Sequence, residues 1–112
     1  MQRSAIRISS SMMFCLALAF PCYLRAEGDA AKLYKANCAV CHAADGSGNT
    51  SSGKALKAKD LRSDEVQKKS DAELAEITTK GQGKMPAFGQ KLKPEQIQAL
   101  VSYIRQLGKK LG

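Results

Sequence analysis

Residues 38–42 read Cys38-Ala39-Val40-Cys41-His42: two thiols three positions apart, with an imidazole directly after the second. On one turn of helix this spacing puts both sulfurs on the same side, where they can face one flat partner. A Cys-x-x-Cys-His run is the attachment signature of a covalent c-type haem, in which each thiol forms a thioether with a vinyl group. The motif predicts one haem c per chain, attached through Cys38 and Cys41, with His42 delivered to the iron.

The opposite face of such an iron needs a second ligand, and Met85 is the candidate. It lies in the stretch Gly83-Lys84-Met85-Pro86-Ala87-Phe88. After residue 26 the chain has two cysteines, one histidine and one methionine, and these are Cys38, Cys41, His42 and Met85. They are the four groups that a His/Met-ligated haem c requires. We therefore predict His42 and Met85 as the iron ligands, and no catalytic residues.

The first 26 residues have the layout of a secretory signal peptide. Arg3 and Arg7 give a positive start, residues 12–20 are an unbroken apolar run, and a small residue, Ala26, follows the break at Pro21. The run is far shorter than the roughly 20 apolar residues of a membrane-spanning helix. We expect a signal peptide over 1–26, a mature domain over 27–112, and a soluble protein exported to the periplasm with no stable membrane insertion.

The mature part is small and basic. Eighty-six residues are close to the size at which a hydrophobic core is marginal on its own, and a haem would supply a large apolar disc to wrap. Residues 27–112 carry 15 of the 18 Lys and Arg residues and all 10 Asp and Glu residues, a formal charge of +5. This balance favours redox partners with acidic docking surfaces. Export and scattered lysines argue against nucleic-acid binding, and we expect a monomer.

Patterning along the chain predicts an all-α fold of three to five short helices. A first helix is expected from Asp29, a good N-cap residue, into the Cys motif. Residues 45–53 are rich in turn formers and predict a loop, and a helical turn is expected over 64–68. The capping box of Ser70 and Glu73 opens a helix that ends near Lys80, before an irregular loop over 81–93. Pro94 opens the last helix, and no window predicts a sheet. The apolar positions of that helix recur at helical spacing: Ile97, Leu100, Val101, Ile104 and Leu107.

From about Asp29 to Lys110 the chain resembles the class I monohaem cytochromes c, especially small bacterial and cytochrome c6-like members. The motifs stand in the family's order: an N-terminal helix entering Cys-x-x-Cys-His, a Gly-rich loop, a Met-Pro loop and a C-terminal helix. The resemblance implies a small cytochrome c fold, thioethers at Cys38 and Cys41, His42 as proximal ligand and Met85 as distal ligand. It also implies that the first and last helices cross beside the haem, bringing together Ala30, Leu33, Tyr34, Leu100, Tyr103 and Ile104.

One departure from the family concerns the support of His42. Many members have a proline shortly after the motif, and its carbonyl accepts the N–H of the ligand imidazole. Residues 43–48 of this chain contain no proline. An acceptor is still expected, because such bonds orient ligand imidazoles, but the sequence does not identify it.

The sequence alone leaves other functions for these residues open. Cys38 and Cys41 could form a disulfide or a redox-active dithiol in an exported protein, although no βαβ setting is visible. A zinc site would be one ligand short, with two cysteines and one histidine. Met85 alone could be a core residue, and Tyr34 and Tyr103 are expected to pack.

The function that follows from a His/Met iron is one-electron transfer rather than enzymatic catalysis, since neither axial position is open. The exposed haem edge is expected near Ala39, Val40, Gln82 and residues 85–88. Candidate docking charges there are Lys80, Lys84 and Lys91. Two alternatives remain: a haem peroxidase or gas sensor with an open iron, and a haem subunit of a respiratory complex.

Overall fold

The computed structural model of the chain describes residues 20–110. Within that range the structure is all-α, with six helical segments and no β-strand, which confirms the predicted fold class. Two of the segments are single turns of four residues. The segments are α1 (Phe20–Asn37), α2 (Ala39–His42), α3 (Ser51–Leu56), α4 (Asp64–Gln67), α5 (Asp71–Lys80) and α6 (Pro94–Lys109).

Helix α1 is longer than the sequence predicted. It begins at Phe20 rather than near Asp29, so Asp29 is an exposed residue within the helix and not its N-cap. Pro21 is compatible with this start, because the first turn of a helix needs no backbone N–H donor. The predicted signal peptide lies mostly outside the described residues, and α1 runs across its expected end at Ala26.

Helix α3 differs from the sequence prediction, in which residues 51–53 belong to a loop. Thr50 caps this helix: its side chain accepts a hydrogen bond from the Gly53 N–H. Ser and Gly have weak helix propensity, so composition alone favours a loop there. The N-terminal cap and tertiary packing make this segment helical in spite of its composition.

Helices α4 and α5 and the loop after them form as predicted. Ser63 caps α4, and the capping box of α5 is complete: Ser70 Oγ accepts from the Glu73 N–H, and Glu73 Oε2 accepts from the Ser70 N–H. Gly81, with φ +76°, ends α5 in a backbone conformation that glycine adopts without strain.

Helix α6 supplies one wall of the core and packs against α1. All five of its predicted apolar positions are buried. The rings of Tyr34 and Tyr103 lie 4.9 Å apart between centroids, and Tyr34 and Leu100 are the most deeply buried large side chains. Leu33 also packs against this cluster, so the predicted meeting of the first and last helices is confirmed.

Within residues 20–110, no helix is both long enough and apolar enough to cross a membrane.

Candidate haem-attachment site

The two cysteines lie at the junction of α1 and α2. Cys38 interrupts the helix, but its N–H donates to the Tyr34 carbonyl at 2.8 Å and its carbonyl accepts from the His42 N–H at 2.9 Å. These i to i+4 bonds preserve the helical spacing across the break, so the three motif residues stay on one short segment, as predicted. Both thiols are half-buried, and no disulfide joins them.

Cys38 points into the protein and packs against the hydrophobic core. Burial, assisted by the nearby Cys41, raises the pKa of the Cys38 thiol to about 11. A redox-active dithiol needs the opposite shift, because the thiolate is the reactive form. Val40, between the two cysteines, is 63% exposed. The environment of Cys38 therefore does not support a dithiol site. The solvent-exposed side of the motif is the side that carries Val40.

The acceptor of the His42 ring is the backbone carbonyl of Lys59. His42 Nδ1 lies 2.9 Å from Lys59 O, and because a carbonyl can only accept, Nδ1 carries the proton. In the neutral ring this tautomer leaves Nε2 as the nitrogen whose lone pair can bind a metal. The sequence could not identify this acceptor, since it lies 17 residues away and is a backbone group.

The segment that carries the Lys59 carbonyl is tied down on both sides. The Ala58 N–H donates to Gly53 O at 2.8 Å, and the Leu61 N–H donates to Gly46 O at 2.7 Å. Asp60 follows Lys59 and binds the guanidinium of Arg62 through both carboxylate oxygens, at 3.0 and 3.1 Å. These hydrogen bonds from Arg62 hold the pKa of Asp60 below its usual value. The carbonyl facing His42 is thus part of a fixed turn.

Thr50 and Gly53 hold α2 against α3. Thr50 Oγ1 donates to Val40 O at 2.8 Å, which satisfies a carbonyl near the end of α2, while it caps α3. A Cβ on Gly53 would lie 2.1 Å from Cys41 O. The Cys-x-x-Cys-His helix is therefore packed so closely against α3 that only glycine fits at this position.

Met85 lies in a hydrogen-bonded turn within the predicted loop over 81–93. The Met85 N–H donates to Gln82 O at 2.9 Å, and the Gln82 N–H donates to Met85 O at 3.1 Å. Gly83 takes φ +57° at the first central position, where this kind of two-residue turn favours glycine. After the turn, the Phe88 N–H donates to Thr78 O at 3.0 Å, which ties the loop to the end of α5.

The four predicted site residues therefore come from two parts of the fold. Three lie on α2 or beside it, and Met85 lies in the loop between α5 and α6. Cys38 and Met85 both pack against the same hydrophobic core, so the loop and the motif border one apolar region. Two adjacent thiols, an imidazole with a free Nε2 and a thioether are the donor set that fits haem c.

The expected rim of the haem edge needs one correction. Gln82, Pro86 and Ala87 are exposed, as a rim requires, but Phe88 is only 9% exposed and belongs to the core. The hydrogen bond to Thr78 draws the backbone of Phe88 inward. Phe88 therefore belongs to the core and not to the exposed rim.

The zinc alternative finds no support in the part of the chain that the structure describes. No three His, Cys, Asp or Glu side chains there are grouped so that they could hold a metal ion.

Comparison with known proteins finds similarity to cytochromes. The family model described as cytochrome C oxidase, cbb3-type, subunit III matches residues 26–104. The chain is 37% identical to cytochrome c6 of Nostoc sp. (strain PCC 7120) over 97 residues, which cover 87% of this chain and 83% of that protein. It is 41% identical to cytochrome c6 of Microcystis aeruginosa over 78 residues, covering 68% of this chain and 90% of that protein.

Two further matches differ in how much of the other protein they cover. The cbb3-type cytochrome c oxidase subunit FixP of Azorhizobium caulinodans is 38% identical over 80 residues, which are 70% of this chain but 26% of that subunit. The solved structure of the c-type cytochrome KustC0563 is similar with a TM-score of 0.65 and 37% identity, covering 70% of this chain and 96% of that one.

Proposed function

The chain belongs to the class I cytochrome c family, and on that basis we propose that it is a soluble one-electron carrier of the periplasm. Haem c would be joined to Cys38 and Cys41 through thioethers and ligated by His42 and Met85. The observation that carries the proposal is the hydrogen bond of the His42 ring. Its Nδ1–H donates to Lys59 O, so Nε2 is the nitrogen available to iron.

Haem c, when bound, supplies an iron that alternates between the ferrous and ferric states. The role of the chain is to hold two ligands in fixed positions. His42 is braced by the Lys59 turn, and Met85 by its own two-residue turn. A thioether ligand favours the reduced state relative to a second histidine. If His42 and Met85 both ligate the iron, no ligand position would be open to a substrate, and the chain would act as a carrier and not as an enzyme.

Export and processing are part of the proposal. Cleavage after Ala26 would leave α1 starting at Glu27, and this shortened helix keeps Ala30 and Tyr34, which are buried in the core. The carrier would act as a monomer with redox protein partners that present acidic docking surfaces, because the mature part has a positive charge.

A second candidate is a haem subunit of a respiratory complex. It is favoured by the family description and by the FixP match. The cytochrome c6 relatives favour the stand-alone carrier, because each of the two described above is matched over most of its own length. Fractionation of the producing cells distinguishes the two: a carrier is recovered in the periplasmic fraction as a monomer, and a complex subunit co-purifies with membranes.

The first prediction concerns Met85. We expect the wild-type protein, produced in a host that matures c-type haem, to give a low-spin ferrous spectrum. The ferric form should give the weak far-red band of a methionine-ligated iron. Met85→Ala should abolish that band, because the thioether is removed. Optical spectra of the oxidised and reduced proteins measure both.

Lys84→Ala is the matched control, since it changes an exposed neighbour in the same turn and should keep the band. A high-spin wild-type spectrum would mean an open iron and would favour the peroxidase or gas-sensor alternative. A protein that carries no haem would refute the proposal.

A further inference from the structure

The residue directly after His42 has a backbone conformation that is rare for a residue with a side chain. Ala43 has φ 65° and ψ 161°. This region is populated essentially by glycine, because a Cβ clashes with the backbone there. A non-glycine residue remains in it only where the surroundings hold it in place, and Ala43 is buried.

Three hydrogen bonds hold the Ala43 peptide groups. Its N–H donates to Ala39 O at 2.9 Å, and its carbonyl accepts from the Gly46 N–H at 3.1 Å. The third bond comes from outside this segment: the Tyr34 hydroxyl of α1 donates to Ala43 O at 2.7 Å. It is the shortest of the three and the only one made by a side chain.

The Tyr34 hydroxyl is suited to be a permanent donor. The side chain is 1% exposed, and burial raises the pKa of its hydroxyl far above the physiological range, so the proton stays on the oxygen. Its ring is fixed by the neighbouring ring of Tyr103. A carbonyl acceptor held by a buried, rigid donor has little freedom to rotate.

We propose that Tyr34 is a positioning residue for His42, acting through Ala43. The hydroxyl holds the carbonyl of the peptide between Ala43 and Ala44. The strained φ and ψ of Ala43 join this peptide to the one that leaves His42, so holding the first fixes the direction of the second. His42 is then fixed at two points, its ring by Lys59 O and its backbone by the Tyr34–Ala43 contact. The proposal rests on the proposed role of His42 as an iron ligand, and gives Tyr34 a role beyond the packing expected from the sequence.

The presence of alanine rather than glycine makes the proposal testable. Glycine adopts the Ala43 conformation without a steric penalty. In a chain with glycine at position 43, the conformation should persist with or without the Tyr34 hydroxyl. The effect of removing the hydroxyl should therefore be large with Ala43 and small with glycine, which is a coupling that a double-mutant cycle measures.

The experiment compares the holoproteins of wild type, Tyr34→Phe, Ala43→Gly and the double variant. The readouts are the principal g-values of the oxidised protein by electron paramagnetic resonance, the midpoint reduction potential, and urea unfolding. We expect Tyr34→Phe to change the g-values and the potential, and to lower the folded-to-unfolded ratio by about ten-fold, as for one hydrogen bond. The double variant should return the g-values and the potential to those of Ala43→Gly.

Tyr103→Phe is the matched control, because it removes the hydroxyl of the other ring of the pair and leaves the Tyr34–Ala43 bond in place. It should keep wild-type g-values and potential. A Tyr34→Phe protein with wild-type g-values and potential, even if less stable, would reduce Tyr34 to a structural residue and overturn the proposal. Equal shifts in both phenylalanine variants, or no rescue by Ala43→Gly, would also overturn it.

If Tyr34→Phe does not fold, Ala43→Gly alone decides. The proposal requires this variant to be at least as stable as wild type with unchanged g-values, and a clear destabilisation would overturn it. Failure of the proposed function is seen separately: the wild-type protein itself would then lack the Met85-dependent band, whatever the Tyr34 variants do.

Discussion

At the scale of single residues, Gly53 determines how closely α3 can approach the haem-attachment motif. Its Cα faces the Cys41 and Gly48 carbonyls, and a Cβ there would lie 2.1 and 2.4 Å from these oxygens. Both neighbours are backbone atoms that cannot rotate away. The Gly53 carbonyl also accepts from the Ala58 N–H, so displacing it would disturb the turn that carries Lys59 O.

Gly53→Ala should therefore destabilise the protein even though alanine is the better helix former by about 1 kcal/mol. We expect a loss of about 1–3 kcal/mol in the free energy of unfolding, as for an overpacked core position, measured on the holoprotein in urea. Ser52→Ala, an exposed change in the same helix, should stay within about 0.5 kcal/mol of wild type. If Gly53→Ala is as stable as wild type, the close packing of α2 on α3 is wrong.

Prediction from sequence works best where a side chain has unusual chemistry. Cys38, Cys41, His42 and Met85 could be proposed at once because thiols, imidazole and thioether are scarce in this chain. The Lys59 carbonyl could not be proposed, since every residue has a carbonyl and only the fold brings this one to His42. The strained backbone of Ala43 could not be predicted from the sequence either, because an alanine gives no indication of an unusual backbone angle.

At the scale of helices, Arg105 joins α6 to the junction between α4 and α5. Its guanidinium donates to Gln67 O at 2.7 Å and to Lys69 O, and it pairs with Asp71 at 2.9 Å. Gln67 extends the junction, donating to Leu61 O and to Ile104 O. The carbonyls at the end of α4 are thus satisfied by a helix nearly 40 residues away, which sequence periodicity cannot reveal.

Arg105→Lys should lose most of this contribution, because one ammonium group cannot match the planar set of donors that reaches several acceptors. The expected cost is about 1.5–3 kcal/mol in the free energy of unfolding, because the donor is charged and its side chain is only 24% exposed. Asp71→Ala should cost less than about 1 kcal/mol, since that carboxylate is 76% exposed and its pair is screened by solvent.

Lys109→Ala, an exposed change near the end of the same helix, serves as the control for urea unfolding. If Asp71→Ala and Arg105→Lys are equally destabilising, the ion pair rather than the carbonyl contacts joins these helices.

The sequence likewise predicts a helix correctly where the cause is local, and it fails where the helix depends on distant contacts. The capping box of Ser70 and Glu73 is a local signal, and α5 formed where it predicts. Helix α3 depends on its Thr50 cap and on contact with α2, and its Ser-Gly composition concealed it.

At the scale of the whole molecule, charge is unevenly distributed along the chain. Six of the acidic residues lie within 60–76, whereas residues 77–94 contain four lysines and no acidic residue. Lys80 pairs with Glu76 at 2.8 Å, which partly neutralises it. Lys84 and Lys91 are exposed and form no ion pair with any residue that the structure describes. The loop over 81–93, called the Met85 loop below, therefore carries positive charge that no ion pair with the described residues compensates.

This distribution predicts that the Met85 loop controls the rate at which charged partners exchange electrons with the protein. Lys84→Glu should slow oxidation of the reduced protein by hexacyanoferrate(III), an anion, roughly three- to ten-fold at low ionic strength, and should accelerate oxidation by a cationic ruthenium ammine complex. Stopped-flow kinetics measure both, and added salt should reduce both effects because it screens the charges.

Lys109→Glu makes the same change in net charge at the opposite end of α6, about 20 Å along the helix from Pro94. That distance is about twice the Debye length at 0.1 M salt, so at that ionic strength the local field at the loop should hardly change. Lys84→Glu should therefore alter both rates at 0.1 M salt, and Lys109→Glu should alter neither. Equal effects of the two variants would mean that only the net charge matters, and that electrons do not leave near the Met85 loop.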